Sequence, residues 1–311
     1  MLEPILVTGC AGFIGSQLCL DLLADGYAVL GIDSLSALVY SNQLKRLRLS
    51  QLETHPNFNF RRVDLANAAA LENLPKVSKT VNLAAIPGLL PSWSHAKDYF
   101  LSNALGALNI ATWCANRGTR LVHISTSSVY GRTTTQDGDL LKPASPYGVS
   151  KFAGELSVSS VAEEMDLDYS IMRLFSVFGP GQRPDMAYSI FIRQLAQRRP
   201  IQVYGDGTQS RMNTFVEDVT KLIRLELQRP GKARTLDVCG GESITLLTAI
   251  EVIGEALGVE PVIEFLPRRL GDQYETACNK RELEIEFGWN RWTPIVEGLK
   301  RQVLATVEDK R

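Results

Sequence analysis

No run of apolar residues in this 311-residue sequence is long enough to span a bilayer, so a membrane is not expected among its partners. An excess of one charge is missing too: 33 basic residues against 34 acidic ones leave a formal net charge of −1. That balance gives no reason to expect nucleic acid or an anionic lipid surface as partner. Histidine and cysteine are few and scattered. The three histidines (55, 95, 123) and five cysteines (10, 19, 114, 239, 278) form no CxxC pair and no ligand-like cluster, so no metal site is expected. Internal repeats and low-complexity tracts are absent. The opening "MLEPILVTG" runs straight into a strand pattern, without a basic stretch followed by a long apolar one, and no signal peptide is expected. The expected setting is a reducing cytoplasm. What is left is the composition of an ordinary soluble globule, 45% hydrophobic and 22% charged, long enough for a full core and two lobes.

The glycines near the start are ordered. "ILVTGCAGFIGSQLCLDLLADGYAVLGID" reads as strand, glycine turn, helix and strand. Ile5–Thr8 is a short β-rich run, and Gly9, Gly12 and Gly15 punctuate the residues after it. From Ser16 to Ala24, Leu18, Leu22 and Leu23 recur at helical spacing, and Gly26 ends the element. Tyr27–Ile32 reads as a second buried strand, closed by Asp33. Glycines in such a turn let the backbone approach a pyrophosphate seated at the positive end of the following helix. Asp33, 24 residues beyond Gly9, is placed to accept hydrogen bonds from an adenosine ribose diol. Its charge would repel a 2′-phosphate, which favours NAD over NADP. The spacing is GxxGxxG instead of the commoner GxGxxG; the bland alternative is three glycines that serve only turns and packing.

Later segments continue the alternation. "FNFRRVDLA" supplies a strand ending at Asp64, "TVNLAAIPG" one ending at Ala84 and Ala85, and "TRLVHIST" one ending at Thr126. Between the last two, Tyr99–Arg117 reads as a helix carrying Leu101, Leu105, Leu108 and Trp113. Strands alternating with helices predict an α/β fold with a parallel, doubly wound sheet. In such sheets the ligand lies beyond the carboxyl ends of the strands, where Gly9, Asp33, Ala84 and Thr126 all fall.

"SPYGVSK" places Tyr147 and Lys151 four residues apart, on one face of a helix. A phenol is a poor base at neutral pH, and a nearby ammonium favours the phenolate. With nine Tyr and eleven Lys, chance alone supplies about 0.3 such pairs, so the neighbours must decide. Those neighbours are Thr126, Ser127 and Ser128, three consecutive hydroxyl residues at a strand end. The bland alternative is a solvated strand exit; beside the glycine turn and the Tyr/Lys pair they favour a hydroxyl–phenolate–ammonium relay.

These segments together resemble a known family. "VTGCAGFIGS", "NLAA", "STSSVYG", "SPYGVSK", "MRLFSVFGPGQRPDM", "VYGDGTQSRMNTFVED" and "PRRLGDQYET" are similar to extended short-chain dehydrogenases/reductases of the nucleotide-sugar epimerase and dehydratase group. The resemblance covers nearly the whole chain and implies a Rossmann-type sheet with a smaller C-terminal substrate lobe. It makes Tyr147 the base, Lys151 the residue that binds the nicotinamide ribose and lowers the Tyr147 pKa, and Thr126 an aid to proton transfer. NAD would lie against Gly9, Gly12, Phe13, Ile14, Gly15, Asp33, Asp64, Leu65, Ala84 and Ala85, with Asp64 holding adenine. Asn103 takes the place of an asparagine that shapes the site. Arg211 and Arg269 match positions that clamp a substrate diphosphate, as guanidinium groups suit phosphate oxygens, and Asp272 follows in the same segment. The family habit is a homodimer packed through helices near 99–116 and 148–165, although their apolar stripes would serve equally as core. Two positions depart from the pattern: Asn82 stands where many members carry His, and Cys10 where Gly or Ala is usual.

The resemblance also bears on the reaction. Members begin by oxidising the sugar at C4 and diverge afterwards. A 4,6-dehydratase would carry Asp-Glu at 127 and 128, and a decarboxylase a glutamate at 128; both are serine here, which favours a 4-epimerase. "GQRPDMA" and "DSLSALVYSNQLKRLRL" are similar to segments of UDP-glucuronic acid 4-epimerases. Thr126, Ser127, Ser128 and Ser176 offer the hydroxyl donors a sugar carboxylate wants, and Arg183 adds charge or else only a surface salt bridge. Epimerases of UDP-glucose or a UDP-N-acetylhexosamine are the alternative, and a non-catalytic NAD sensor is the alternative from another class. The expected NAD domain is 1–174, with 212–239 partly rejoining it; 175–211 and 240–311 form the expected substrate lobe.

Overall fold

The computed structural model describes residues 3–131, 141–229, 231, 233–268, 275, 276, 278 and 281–308. Elements alternate from the start: β1 (Ile5–Thr8), α1 (Phe13–Ala24), β2 (Val29–Asp33), α2 (Asn42–Glu53), β3 (Phe58–Arg62), α3 (Ala68–Glu72) and β4 (Lys79–Asn82). Two short helices, α4 (Pro91–Ser94) and α5 (Ala96–Tyr99), lead into a π-helical turn at Phe100–Leu105. Then come α6 (Gly106–Asn116), β5 (Arg120–Thr126), α7 (Pro146–Met165) and β6 (Tyr169–Leu174). A late strand, Arg234–Val238, joins this sheet at its edge. The order across the seven strands is that edge strand, β6, β5, β4, β1, β2, β3.

The pairings β1–β2, β2–β3, β1–β4 and β4–β5 are all parallel. Every residue of β1, β2 and β5 is buried; β1 and β2 accordingly read as near-continuous apolar runs instead of alternating ones, while β5 also buries Arg120, His123, Ser125 and Thr126. The chain steps outward from β1 to β3 and then returns to the other side of β1 as β4. The carboxyl ends of β1 and β4 therefore flank the switch point, the ordinary ligand position in a doubly wound sheet. Leu6, Leu30, Ile110, Trp113, Leu121 and Val158 belong to the core beneath it. The Trp113 indole N–H, buried with that core, donates to the Leu71 carbonyl at 2.8 Å.

Several element ends differ from the sequence reading. α1 starts at Phe13, three residues before the expected Ser16, because Gly12 is extended (φ −76°, ψ 175°) and serves as its N-cap. β3 stops at Arg62 instead of Asp64: the Asp64 carboxylate accepts from the Ala66 amide at 3.0 Å and bends the chain. β4 stops at Asn82, two residues short of Ala84. The expected single helix over 99–117 is broken by the π-helical turn, a feature that is common where a helix serves a site.

The other elements are β7 (Val177–Phe178), α8 (Ala187–Ala196), β8 (Ile201–Tyr204), β9 (Ser210–Met212), β10 (Thr214–Phe215) and α9 (Val216–Gln228). The edge strand Arg234–Val238 is β11, and beyond it lie β12 (Ser243–Thr245), α10 (Leu246–Leu257), β13 (Ile263–Leu266), β14 (Glu275–Thr276), α11 (Arg281–Phe287) and α12 (Ile295–Glu308). Small sheets β10–β7, β12–β9–β14 and β13–β8 replace one large sheet. Their core gathers Phe178, Phe191, Ile192, Phe215, Ile253 and Leu299. Cys239 and Cys278 form a disulfide, with Cα atoms 6.3 Å apart. The sequence reading saw no cysteine pair because a pairing across 39 residues leaves no spacing motif.

The described residues divide into two compact units. The first comprises Met1–Val129, Lys142–Arg173 and Thr220–Leu236; the second comprises Tyr130–Leu141, Leu174–Val219 and Asp237–Arg311. No helix among the described residues is long and apolar enough to cross a membrane.

Candidate functional site

In the first unit, the turn between β1 and α1 is shaped by backbone crowding. Gly9 has φ +67°, and a Cβ there would come within 2.9 Å of the Ala84 amide nitrogen. A Cβ on Gly15 would lie 2.1 Å from the Gly9 carbonyl oxygen, and one on Gly12 3.0 Å from it. Only glycine lets the turn fold back on itself and leave the start of α1 open. Phe13 and Ile14 supply that first turn, which carries no acidic residue, so nothing there repels an anion. The residues present therefore fit a pyrophosphate.

Asp33, at the end of β2, is 5% exposed. Its Oδ1 accepts from the Leu35 amide at 2.7 Å and its Oδ2 from the Ala11 amide at 3.3 Å, while Lys45 Nζ lies 3.4 Å from Oδ1. The carboxylate is thus fixed beside the glycine turn, as a ribose diol requires. Burial raises the Cys10 thiol pKa well above its usual value, with help from Cys19 and Asp33, so this departure from the family pattern brings no reactive thiolate. Asp64 is exposed, and Leu65 is buried with its carbonyl accepting from Asn109 at 2.8 Å.

A buried polar chain joins the strand ends. The Ala84 amide donates to Thr8 Oγ1 at 3.0 Å, and Thr8 Oγ1 donates to Asn82 Oδ1 at 2.6 Å. Asn82 Nδ2 then lies 3.0 Å from His123 Nδ1. Burial, and next the Lys151 charge, push the His123 pKa well below its usual value; a neutral ring accepts from Asn82 as this contact needs. Asn82 is thus a link that holds Ala84 at the mouth of β4. His123 has no motif around it, and the sequence reading passed over it.

α7 starts where capping chemistry says it should. The Ser145 hydroxyl accepts from the Gly148 amide at 3.1 Å, and Pro146 occupies the first turn. Tyr147 and Lys151 follow on one face. Tyr147 is half-buried, its ring edge-on to Tyr99 with centroids 6.1 Å apart. Lys151 is 3% exposed and donates to the Ile124 carbonyl of β5 at 2.7 Å. Burial lowers its pKa to about 8, against the opposing pull of Glu155.

Asn103, on the π-helical turn, is a bracket. It accepts from the Ile86 amide at 2.7 Å, and donates at 3.0 Å to both the Ile86 carbonyl and Ser150 Oγ. Ser150 in turn donates to the Tyr147 carbonyl at 2.8 Å. Thr126 Oγ1, at the end of β5, donates to Ser128 Oγ and accepts from its amide, both at 3.2 Å. Ser127–Val129 forms one 3-10 turn, which keeps the three hydroxyls on a rigid strand exit.

The second unit holds a cavity of about 660 Å³. Ser176 and Arg211 both line it, together with Gln182, Gln202, Asn213 and Arg268. Asn213 donates to the Tyr188 hydroxyl at 2.9 Å and to the Arg211 carbonyl at 3.0 Å, so it braces the arginine's backbone. Arg183 is paired with Asp185 at 2.7 Å. Arg269 and Asp272 lie outside the described residues. The sequence reading missed Gln182, Gln202, Asn213 and Arg268; the exposed Gln202 between buried Ile201 and Val203 on β8 was the only local signal. No group of three or more His, Cys, Asp or Glu among the described residues could hold a metal.

Known proteins are similar to this chain in sequence and in fold. The sequence pattern of the NAD dependent epimerase/dehydratase family matches residues 5–239. The UDP-glucuronate 4-epimerase of Thermodesulfobacterium geofontis (strain OPF15) is 34% identical over 306 residues, covering 96% of this chain and 94% of its own length. The UDP-glucose 4-epimerase of Mycolicibacterium smegmatis is 31% identical over 308 residues, covering 96% of each. In structure, the UDP-glucuronic acid 4-epimerase of Bacillus cereus, in complex with UDP-glucuronic acid and NAD, superposes with a TM-score of 0.90. It is 30% identical, with 98% of this chain and 99% of that one covered. With its glycine turn and its Tyr147–Lys151 helix both inside the matched span, this chain belongs to the NAD dependent epimerase/dehydratase family.

Proposed function

We propose that this protein is an NAD-dependent 4-epimerase of UDP-sugars, and that UDP-glucuronate and UDP-galacturonate are the pair it interconverts. The observation that carries the reading is the strand exit: Thr126, Ser127 and Ser128 are hydroxyls, so no carboxylic acid is present there to remove a C5 proton. NAD, when bound at the glycine turn and Asp33, supplies reversible hydride chemistry at sugar C4.

The chain's own residues do the rest. Tyr147 takes the C4 hydroxyl proton and returns it, Thr126 passes it on, and the Lys151 ammonium favours the phenolate. Asn103 and Ser150 hold the start of α7 so that Tyr147 keeps its position. Ser127 and Ser128, with Ser176, donate to the sugar carboxylate and fix its plane, which restrains loss of carbon dioxide from the β-keto acid. The second unit's cavity takes the nucleotide, with Arg211 and Arg269 on its diphosphate and Asp272 beside them; Arg183 is assigned to the sugar acid. Asp64 and Leu65 would hold the adenine of NAD, Asp33 its ribose, and the turn from Gly9 to Gly15 its pyrophosphate.

The homologous UDP-glucose 4-epimerase supports a second reading, in which the sugar carries a hydroxymethyl group. Incubation with a panel of UDP-sugars, with products identified by NMR, separates the two: UDP-galacturonate from UDP-glucuronate supports the first, and turnover of UDP-glucose alone the second. We also propose a homodimer. Phe100, Leu101, Leu105, Leu108 and Leu156 are each between 36% and 56% exposed on the π-helical turn, α6 and α7. Light scattering that finds only monomer would rule it out.

A further inference from the structure

Glu155 lies on α7 one turn beyond Lys151 and is 3% exposed. Its Oε1 accepts from the Ser125 hydroxyl at 2.5 Å and from Arg173 Nε at 3.0 Å, and its Oε2 accepts from Arg173 Nη2 at 2.7 Å. Ser125 stands on β5 between Ile124, whose carbonyl receives the Lys151 ammonium, and Thr126. One carboxylate therefore ties β5 and β6 to the helix that carries Tyr147 and Lys151.

An isolated buried ammonium loses its proton readily, because its hydration is gone. Among the described residues, the charged or titratable groups about Lys151 lie on three elements. On α7 these are Tyr147 and Glu155. On β5 there is His123, buried and held neutral by burial and by the Lys151 charge itself. On β6 there is Arg173, whose guanidinium spans both oxygens of Glu155. With Tyr147 a neutral phenol, Glu155 is the group among them that pulls toward the ammonium form.

We propose that Glu155 is a positioning residue of the reaction: held by Ser125 and Arg173, it keeps Lys151 an ammonium at working pH and so keeps Tyr147 competent as the base. Arg173 tempers the effect by neutralising part of the carboxylate's charge. The inference rests on the proposed roles of Tyr147 and Lys151, and its test reads Lys151 without any substrate.

The measurement is a pH titration, by NMR, of the full chain as purified with its NAD and labelled with ¹³C at lysine Cε. Eleven signals are expected, and Lys151→Met identifies the one that matters. Glu155→Gln keeps the shape and removes the charge, and should lower the Lys151 midpoint by about one pH unit. Arg173→Gln should raise it, and the double variant should fall between the parent and Glu155→Gln. The alkaline limb of the activity profile should follow the same order, since activity falls as Lys151 loses its proton. A purely structural Glu155 would change thermal stability and leave every midpoint where it was, and that result overturns the proposal. So does a limb that ignores a shifted midpoint. Should Glu155→Gln fail to fold, Arg173→Gln carries the test, and an unchanged midpoint there is decisive. Absence of turnover with every UDP-sugar would defeat the proposed function and leave the Lys151 titration readable.

Discussion

The two units put their chemistry into the chain in different ways. In the first, the groups proposed for cofactor binding and catalysis sit at a few local points: Gly9 to Gly15, Asp33, Thr126 to Ser128, and Tyr147 with Lys151. In the second, the cavity wall draws on Ser176, Gln182, Gln202, Arg211, Asn213 and Arg268, six positions spread over more than ninety residues. The difference comes from what does the binding. A site made by backbone turns and strand ends needs glycine where a Cβ cannot fit, so it marks the sequence locally. A cavity made by side chains needs only suitable residues at positions the fold brings together: Ser176 and Arg211 were reached through the family resemblance, while Gln182, Gln202, Asn213 and Arg268 stayed unseen until the fold was known.

Substitutions in the two units should therefore fail in different ways. The largest effect belongs to Tyr147→Phe, which should lower kcat by roughly 10²–10⁴-fold and leave retained NAD unchanged, checked by steady-state kinetics and cofactor absorbance. A loss below about tenfold would mean that another group is the base. Next comes Gly15→Val. Its Cβ would start 2.1 Å from the Gly9 carbonyl, so the turn must open. NAD affinity should weaken by about 10–100-fold, the 1–3 kcal/mol of an overpacked site, in a binding titration.

Arg211→Gln tests the second unit. It should raise the substrate KM by about tenfold while NAD binding holds, as expected for one charge-assisted contact. An equal loss of NAD affinity would erase the division of labour between the units. The smallest effect is structural: Ser145→Ala should lower stability by about 1 kcal/mol in denaturant unfolding, through loss of the cap to Gly148.

Much of the first unit could be read ahead of the structure. The alternation of strands and helices, the Gly9–Gly12–Gly15 turn and the shared face of Tyr147 and Lys151 are all local patterns. Strand ends were less legible: the Asp64 bond to the Ala66 amide bends the chain after β3, and no hydropathy pattern carries it. The Thr8–Asn82–His123 chain stayed hidden as well: its bonded pairs are 74 and 41 residues apart and meet only in the sheet. The π-helical break in the helix over 99–117 carries Asn103, whose bonds to Ile86 and Ser150 are tertiary and leave no local mark. In the second unit, the Cys239–Cys278 pair and the bracing of Arg211 by Asn213 are long-range or turn-specific contacts, and composition says nothing of either.

The central claim is that the hydroxyls after β5 select a sugar acid. Its most direct test is the ratio of kcat/KM for UDP-glucuronate over UDP-glucose, measured on the parent and on Ser127→Ala/Ser128→Ala. Hydroxyls left without the carboxylate rotate partly to suit a neutral sugar, so the ratio should be about 10²-fold, less than a rigid polar site would give. The double variant should lose most of that preference and release more pentose by-product as epimerisation falls. Equal specificity constants in the parent, or a UDP-pentose as its main product, would contradict the account.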